Sequence, residues 1–164
     1  MEETFYYNSP LGPLLVAARE QAITTVSFVK EPDEVDLKYN KPTSSTLSRC
    51  CQQLDDYFAG RLFSFDLLLD QPGTDFQHKV WAELCHIKYG KTISYLELSK
   101  RLGNTKAIRA AGTANGRNNI AIIVPCHRVI GSDGTLVGYA GSLWRKKWLL
   151  GHEARFGNGV QTLF

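Results

Sequence analysis

The side chains of this 164-residue chain with the clearest chemical potential lie together in Pro125-Cys126-His127-Arg128-Val129. A cysteine reacts as its thiolate, and a neighbouring histidine and arginine favour that form by their positive charge. The aliphatic run 120–124 precedes them and predicts a buried strand that the proline ends. Most free cysteines are small buried apolar side chains, so these residues alone allow either a reactive or a structural Cys126.

A reactive Cys126 needs a base to take its proton and a carboxylate to orient that base. His127 is the nearest candidate base, through a tight turn or a bridging water. Glu153, near the end of the last predicted helix, is our candidate for the carboxylate. Asn118 precedes the aliphatic run and could fix the turn by hydrogen bonds to the backbone, although asparagine is also common in ordinary turns.

The N-terminal part predicts a small sheet and one helix. Short alternating segments in the first thirty residues are typical of antiparallel strands joined by turns. A helix is predicted over residues 43–59, and the alternating apolar residues 63–67 predict another strand. Pro72-Gly73 is the predicted boundary between two domains, 1–73 and 74–164.

Helix signals are stronger after this boundary. Thr74 with Gln77, and Ser94 with Glu97, have the spacing of capping boxes. The helix after Ser94 should end at Gly103, and a second short helix is predicted over residues 105–114. Two short helices joined by a turn with glycine predict a helix-turn-helix. The fold class is therefore α+β: an N-terminal α/β domain with a small antiparallel sheet, then a mostly helical C-terminal domain containing this motif.

The charge is unevenly divided between the two parts of the chain. Residues 1–74 hold six Lys/Arg and eleven Asp/Glu, whereas residues 75–164 hold thirteen and five. A basic C-terminal half suits a polyanionic partner such as DNA, although such a balance can also be only a solvated surface. No apolar stretch is long enough to span a membrane and the first residues do not form a secretory signal, so we expect a soluble intracellular, cytoplasmic protein with reduced cysteines.

These motifs carry a resemblance to a known family. The segment PCHRVIGSDGTLVGYAG, preceded by RAAGTANGRN, SYLEL and GTDFQHKVWAEL, resembles the O6-alkylguanine-DNA alkyltransferase family over residues 74–155. YFAG followed by FSFDL matches more loosely. The resemblance implies a ribonuclease H-like N-terminal domain and DNA repair by direct damage reversal: minor-groove binding by the helix-turn-helix, flipping of an O6-alkylated guanine, and irreversible transfer of the alkyl group to Cys126.

It also implies a methylated-DNA--[protein]-cysteine S-methyltransferase that acts once. Its partner is double-stranded DNA containing O6-alkylguanine, with no membrane, cofactor or metal, and the protein is expected to be a monomer, nuclear if eukaryotic. O4-alkylthymine stays open as a second substrate.

The resemblance assigns roles residue by residue. The catalytic set is Cys126 as acceptor, His127 and Glu153 as its water-linked partners, Asn118 as the turn residue and Tyr95 as a proton donor toward guanine. Arg109 is expected to fill the space left by the flipped base. The other DNA-binding positions are Thr105, Lys106, Ala107, Ala110, Ala114, Asn115, Arg117 and Arg128. The alkylguanine pocket is assigned to Val129, Tyr139, Ala140, Gly141 and Lys146.

Three positions depart from the family pattern. Asn119 stands where proline is usual, and a looser turn is expected there. Ser142 replaces the second glycine of the pocket loop and is predicted to cap the last helix. Ala140 stands where some members have serine, so backbone amides must take over its contact with O6.

Two other functions fit part of the sequence. A cysteine hydrolase would use Cys126 and His127. That function does not explain Arg109, the alanine-rich composition of the helix predicted over residues 105–114, or the uneven charge of the two halves. A non-catalytic module that recognises damaged DNA or regulates transcription would explain those features, but it needs no acceptor cysteine, and Cys126 is present.

Overall fold

The computed structural model describes residues 1–37 and 40–158, and its contacts divide the chain into two units. The first unit contains residues 1–72 together with 119–121. Its sheet has the order β1-β2-β3-β4. The strands are β1 (Glu2–Ser9), β2 (Gly12–Arg19), β3 (Ala22–Phe28) and β4 (Leu68–Leu69). The first three are antiparallel as expected, and β4 adds a parallel edge to β3.

Helix α1 (Ser45–Phe58) packs its apolar face in the core of this unit, with Leu47, Leu54 and Tyr57 fully buried. The strand predicted over 63–67 is wrong. Instead of pairing with the sheet, the backbone of Asp66 bonds to a side chain of α1: its N–H donates to Gln53 Oε1 at 2.8 Å and its carbonyl accepts from Gln53 Nε2 at 2.9 Å. A polar helix face has replaced a neighbouring strand as the partner of this segment.

The aliphatic run 120–124 is not the predicted strand. Only Ile120 forms a bridge, parallel to Val26 of β3, and the chain then turns at Ile122, which has φ +72°. A β-branched residue is rare in this left-handed region, and its burial offsets part of the strain. Asn119 does not loosen this segment, because its N–H donates to Gln71 Oε1 at 2.9 Å. A proline at this position would have no N–H to offer.

The second unit contains residues 73–118 and 122–158 of the described chain. Helix α2 (Asp75–Leu84) starts with the predicted capping box: Thr74 Oγ1 accepts from the Gln77 amide at 3.1 Å, and Gln77 Oε1 accepts from the Thr74 amide at 2.9 Å. The Trp81 indole N–H donates to the carbonyl of Ala114 at 2.9 Å. This bond fixes α2 against the helix that contains Ala114.

The predicted helix-turn-helix is present. It consists of α3 (Tyr95–Arg101), the turn Thr105–Ala107 and α4 (Ile108–Gly116). Gly103 has φ +81°, which a glycine adopts without the strain that a side chain would bring. A two-stranded parallel sheet, β5 (Ile93–Ser94) with β6 (Val129–Ile130), and the long helix α5 (Leu143–Asn158) complete the unit. Across residues 1–37 and 40–158, no helix is long and apolar enough to cross a membrane.

The capping box of α2 gives a stability prediction. Thr74→Ala removes the side-chain acceptor for one backbone N–H of the first turn, so the free energy of unfolding should fall by about 1 kcal/mol. Urea denaturation followed by circular dichroism measures this change. The matched control is Thr92→Ala, which alters an exposed threonine outside the helices and should change stability by less than about 0.5 kcal/mol. Equal effects of the two substitutions would contradict the capping interpretation.

Candidate active site

Cys126 opens a single 3₁₀ turn, Cys126–Arg128, directly after Pro125. Two asparagine side chains hold the backbone on both sides of it. Asn118 Nδ2 donates to the carbonyl of Val124 at 2.9 Å, and Asn115 Nδ2 donates to the carbonyl of Cys126 at 3.3 Å. The backbone around the thiol is therefore held through its carbonyl groups by Asn115 of α4 and by Asn118, which follows α4.

A buried carboxylate connects this turn to α5. Glu153 Oε2 lies 2.7 Å from His127 Nε2, and Arg128 binds the same carboxylate with two nitrogens, Nε at 2.7 Å and Nη2 at 3.0 Å. The third contact of Arg128 is Nη1, which donates to the carbonyl of Ile87 at 2.6 Å. His127 and Glu153 are at most 1% exposed. The structure therefore brings together the histidine and glutamate predicted as base and orienting group.

The ionisation states follow from burial and charge. Burial alone would raise the pKa of Glu153, but the charges and hydrogen bonds of His127 and Arg128 outweigh it and hold the pKa well below its ordinary value. Burial lowers the pKa of His127, with the positive charges of Arg128 and Lys146 acting in the same direction against the attraction of Glu153. We therefore take the imidazole as neutral and the carboxylate as charged at neutral pH.

This arrangement fixes the tautomer of His127. A carboxylate only accepts hydrogen bonds, so Nε2 carries the ring proton that is donated to Glu153. Nδ1 then keeps its lone pair, and among the described residues it has no hydrogen-bond partner. A neutral imidazole with a free lone pair is suited to take a proton from the thiol of the preceding residue.

The resting thiol is less acidic than its neighbours in the sequence suggest. Burial raises the pKa of Cys126, against the opposing effects of a hydrogen bond from Asn118 and the charge of Lys146. The expectation that His127 and Arg128 favour a thiolate is not supported, because the imidazole is neutral and the guanidinium charge is matched by Glu153. Burial therefore opposes ionisation of the Cys126 thiol, and its proton must leave before or during the reaction.

Tyr95, Tyr139 and Lys146 lie near the thiol. Burial raises the pKa of both tyrosines and the charge of Cys126 raises it further. Both hydroxyls therefore stay protonated and can donate. Burial lowers the pKa of Lys146 to about 8, while the charge of Cys126 raises it. Lys146 Nζ donates to the carbonyls of Val129 at 2.7 Å and Val137 at 2.9 Å.

The predicted DNA-binding residues divide into two groups. The helix-turn-helix exposes most of them, namely Thr105, Lys106, Arg109, Ala110 and Arg117, with Ala107 half-buried. Arg128, Ala114 and Asn115 are buried instead, at 7%, 3% and 4% exposure. The prediction that these three contact DNA does not fit their burial, and the side chains of Arg128 and Asn115 donate hydrogen bonds to groups inside the protein.

The remaining predicted residues lie in β6 and in the segment that precedes α5. Val129 and Gly141 are buried, Tyr139 is half-buried and Ala140 is exposed. Ser142 does not cap α5. Its Oγ is buried and has no hydrogen-bond partner within residues 1–37 and 40–158, while its backbone has φ +89°. The sequence also missed Arg145, whose Nη1 donates to the carbonyl of Gly141 at 2.8 Å. The sequence did contain a signal for this contact: a long cationic side chain lies four residues after a loop residue and can reach back to the carbonyl of that residue.

Two further observations concern possible metal ligands and the other cysteines. Among the described residues, no cluster of three or more His, Cys, Asp or Glu side chains could hold a metal ion. Cys85 is exposed, whereas Cys50 is buried in α1. Cys50 has no histidine beside it in the sequence. Cys85 is followed by His86, but that side chain is 74% exposed and lies 4.0 Å from Glu83, so this pair lacks the buried contacts of His127.

Two family models cover most of the chain. Residues 4–71 match the 6-O-methylguanine DNA methyltransferase ribonuclease-like domain, and residues 75–155 match the DNA binding domain of the same family. A methylated-DNA--protein-cysteine methyltransferase of Methanosarcina barkeri is 46% identical over 149 residues, which are 88% of this chain and 94% of the relative.

Solved structures agree with this relationship. The crystal structure of Mycobacterium tuberculosis O6-methylguanine methyltransferase superposes with a TM-score of 0.82 at 44% identity, covering 94% of this chain and 93% of the other. A crystal structure of Mycobacterium tuberculosis OGT in complex with DNA gives the same TM-score and identity, with 92% of each chain covered.

The buried histidine makes stability depend on pH. Because the folded-state pKa of His127 is lowered, the unfolded chain takes up a proton at a higher pH than the folded protein does. The stability that neutral His127 contributes is fully present above the unfolded-state pKa of about 6.5 and is lost as the pH falls toward the folded-state pKa. The free energy of unfolding then falls by at most about 1.4 kcal/mol per pH unit. Urea unfolding between pH 7.5 and pH 5 measures this slope.

His127→Gln should flatten that dependence, because glutamine does not titrate. The control is His86→Gln, which removes a histidine whose side chain is 74% exposed and should leave the slope unchanged. A slope that persists in His127→Gln would show that other groups cause the acid sensitivity.

Proposed function

The chain belongs to the 6-O-methylguanine DNA methyltransferase family, and on this premise we propose that Cys126 accepts the alkyl group of O6-alkylguanine in duplex DNA. The observation that carries the assignment is the thiol in a fixed turn beside a neutral histidine, whose Nδ1 is free to accept a proton and whose Nε2 is held 2.7 Å from Glu153. This is DNA repair by direct reversal: the guanine is restored in place and the protein carries away the alkyl group.

The transfer is a displacement at a saturated carbon. The thiol proton passes to His127, directly or through a water, and the sulfur forms a bond to the alkyl carbon while the bond from that carbon to O6 breaks. The electron pair of the broken bond stays on guanine. Glu153 stabilises the imidazolium that forms, as the orienting carboxylate of a triad does. A proton returned to the guanine then balances the reaction.

Tyr95 supports the leaving guanine. Its hydroxyl stays protonated because burial and the nearby sulfur raise its pKa, so it can donate toward the negative charge that develops on the base. In the structure this hydroxyl donates to the carbonyl of Val137 at 3.3 Å, a long contact that a bound base could replace.

The product explains why one molecule acts once. An alkylated cysteine is a thioether, and water has no easy route to cleave it, whereas a thioester intermediate of a hydrolase is cleaved readily. We propose a stoichiometric transferase with no turnover. O4-alkylthymine offers a similar alkyl carbon and is a second candidate substrate.

DNA binding is assigned to the helix-turn-helix. Helix α4 exposes Arg109 among small residues, so its backbone can approach the floor of the minor groove closely. Extruding a base costs a few kcal/mol, and an arginine that fills the gap recovers part of it. The basic balance of residues 75–164 supplies phosphate contacts, which makes the affinity dependent on salt.

The boundary at residues 73 and 74 is retained in this proposal: residues 74–164 carry the chemistry and the DNA contacts. All proposed catalytic residues come from one chain, so a monomer is sufficient. Because the substrate is DNA, we propose an intracellular location, cytoplasmic in a prokaryote and nuclear in a eukaryote.

Alkyl transfer should be visible directly by mass. After incubation with a duplex containing O6-methylguanine, one methyl group should appear on the peptide that contains Cys126, and the repaired strand should contain guanine. Cys126→Ser should stay unmodified under the same conditions, with the exposed Cys85→Ser as the control that retains transfer. Several strands repaired per protein molecule, or a methyl group elsewhere, would refute the assignment.

Arg109 should matter only when a base must leave the stack. Arg109→Ala should slow transfer from duplex O6-methylguanine by about tenfold or more, the loss expected when about 1.4 kcal/mol of compensation for flipping is removed. Transfer from the free base O6-benzylguanine, which needs no flipping, should change less than twofold. Single-turnover kinetics with both substrates measure the difference, and equal losses would show that Arg109 serves the fold.

A further inference from the structure

Two consecutive cations of α5 hold the loop 137–141 beside the thiol. At its start, Lys146 Nζ donates to the carbonyls of Val137 at 2.9 Å and Gly138 at 3.3 Å. At its end, Arg145 Nη1 donates to the carbonyl of Gly141 at 2.8 Å. The loop is therefore fixed at both ends by charged groups, whose hydrogen bonds are stronger than those of neutral donors.

Arg145 is itself held in position by its neighbour. Its guanidinium carbon lies 4.8 Å from the centroid of the Trp144 ring, within the range of a cation–π contact. Trp144 is 55% exposed, although its indole is a large apolar group. The same guanidinium therefore contacts the exposed indole and donates to the carbonyl of Gly141.

Ser142, directly after the loop, is strained. Its φ of +89° lies in a region that favours glycine, and a side chain there costs about 1–3 kcal/mol unless the surroundings enforce it. The buried Oγ does not offset this cost, because it has no hydrogen-bond partner among the described residues. What holds the conformation is backbone bonding: the Ser142 N–H donates to Tyr139 at 3.0 Å, and its carbonyl accepts from the Lys146 amide at 3.2 Å.

We propose that Arg145 is a specificity-determining positioning residue, which holds the pocket loop against the strain at Ser142 and so limits the size of the alkyl group that reaches Cys126. This proposal rests on the proposed alkyl transfer. A methyl group reacts with the loop in place. A larger group must displace the loop and weaken the bond between Arg145 and Gly141, so the parent protein should discriminate against it.

The test compares two substrates in parent and variant proteins. Single-turnover rate constants are measured with duplexes that contain O6-methylguanine or O6-benzylguanine. Arg145→Ala should raise the benzyl-to-methyl ratio by about tenfold or more, the effect expected from losing one hydrogen bond from a charged donor. Arg145→Lys keeps a cation that can reach the loop and should restore part of the parent ratio. Lys147→Ala, an exposed lysine two residues on, is the matched control and should leave the ratio unchanged.

Ser142→Gly tests the strain directly. Glycine accepts this φ without cost, so Arg145→Ala should change the ratio less in the Ser142→Gly background than in the parent. If Arg145→Ala changes the ratio equally in both backgrounds, the strain at Ser142 does not contribute to the selectivity.

The outcomes separate the two proposals. A parent protein that transfers neither alkyl group refutes the proposed function. A parent that transfers methyl, with a benzyl-to-methyl ratio unchanged in Arg145→Ala, overturns the role of Arg145. Equal loss of both rates would also overturn it, because a general effect on folding lowers both together. If Arg145→Ala does not fold, Arg145→Met, which keeps a long side chain without a hydrogen-bond donor, gives the same comparison.

Discussion

The carboxylate of Glu153 is the constraint on which the rest of the active site depends. Removing a carboxylate from water costs several kcal/mol, and Glu153 is only 1% exposed. Arg128 meets that cost with two hydrogen bonds to the same carboxylate. Because the guanidinium already balances the charge, His127 does not need to be protonated to satisfy Glu153. The histidine is left neutral, oriented and able to act as a base.

This constraint also sets the local backbone. Arg128 can reach Glu153 only if the chain turns tightly after Cys126, and the 3₁₀ turn provides that geometry. Asn118 and Asn115 bind the carbonyls of the same segment, so the turn is held from the side of α4 as well. The motif PCHRV is therefore a structural unit: the arginine balances the carboxylate, the histidine can take the proton, and the cysteine is buried.

Local sequence signals predicted much of the fold and most of the site. Capping residues such as Thr74 and Ser94 placed helix starts correctly, because a cap acts within one turn of its own helix. The same reasoning failed where distant partners decide the structure. The run 120–124 has the composition of a strand, yet only Ile120 pairs with β3 and the left-handed Ile122 turns the chain away. The burial of Arg128 could not be predicted for the same reason. Its partner Glu153 lies 25 positions later, and the presence of a charged residue in a sequence does not show whether its side chain is buried.

A buried thiol whose pKa is raised by its surroundings suits a protein that can react once. An exposed low-pKa cysteine reacts with oxidants and many electrophiles, and each such event would use up a molecule without repairing DNA. In this structure burial raises the pKa of Cys126 above its ordinary value, and the lone pair of His127 offers the proton a place to go only when an alkyl carbon is present to receive the sulfur. Lys146 of α5 partly offsets the burial of the developing thiolate, and the same side chain holds the loop 137–141. The groups that make the cysteine reactive are thus the groups that shape the pocket, so reactivity and substrate fit depend on one another.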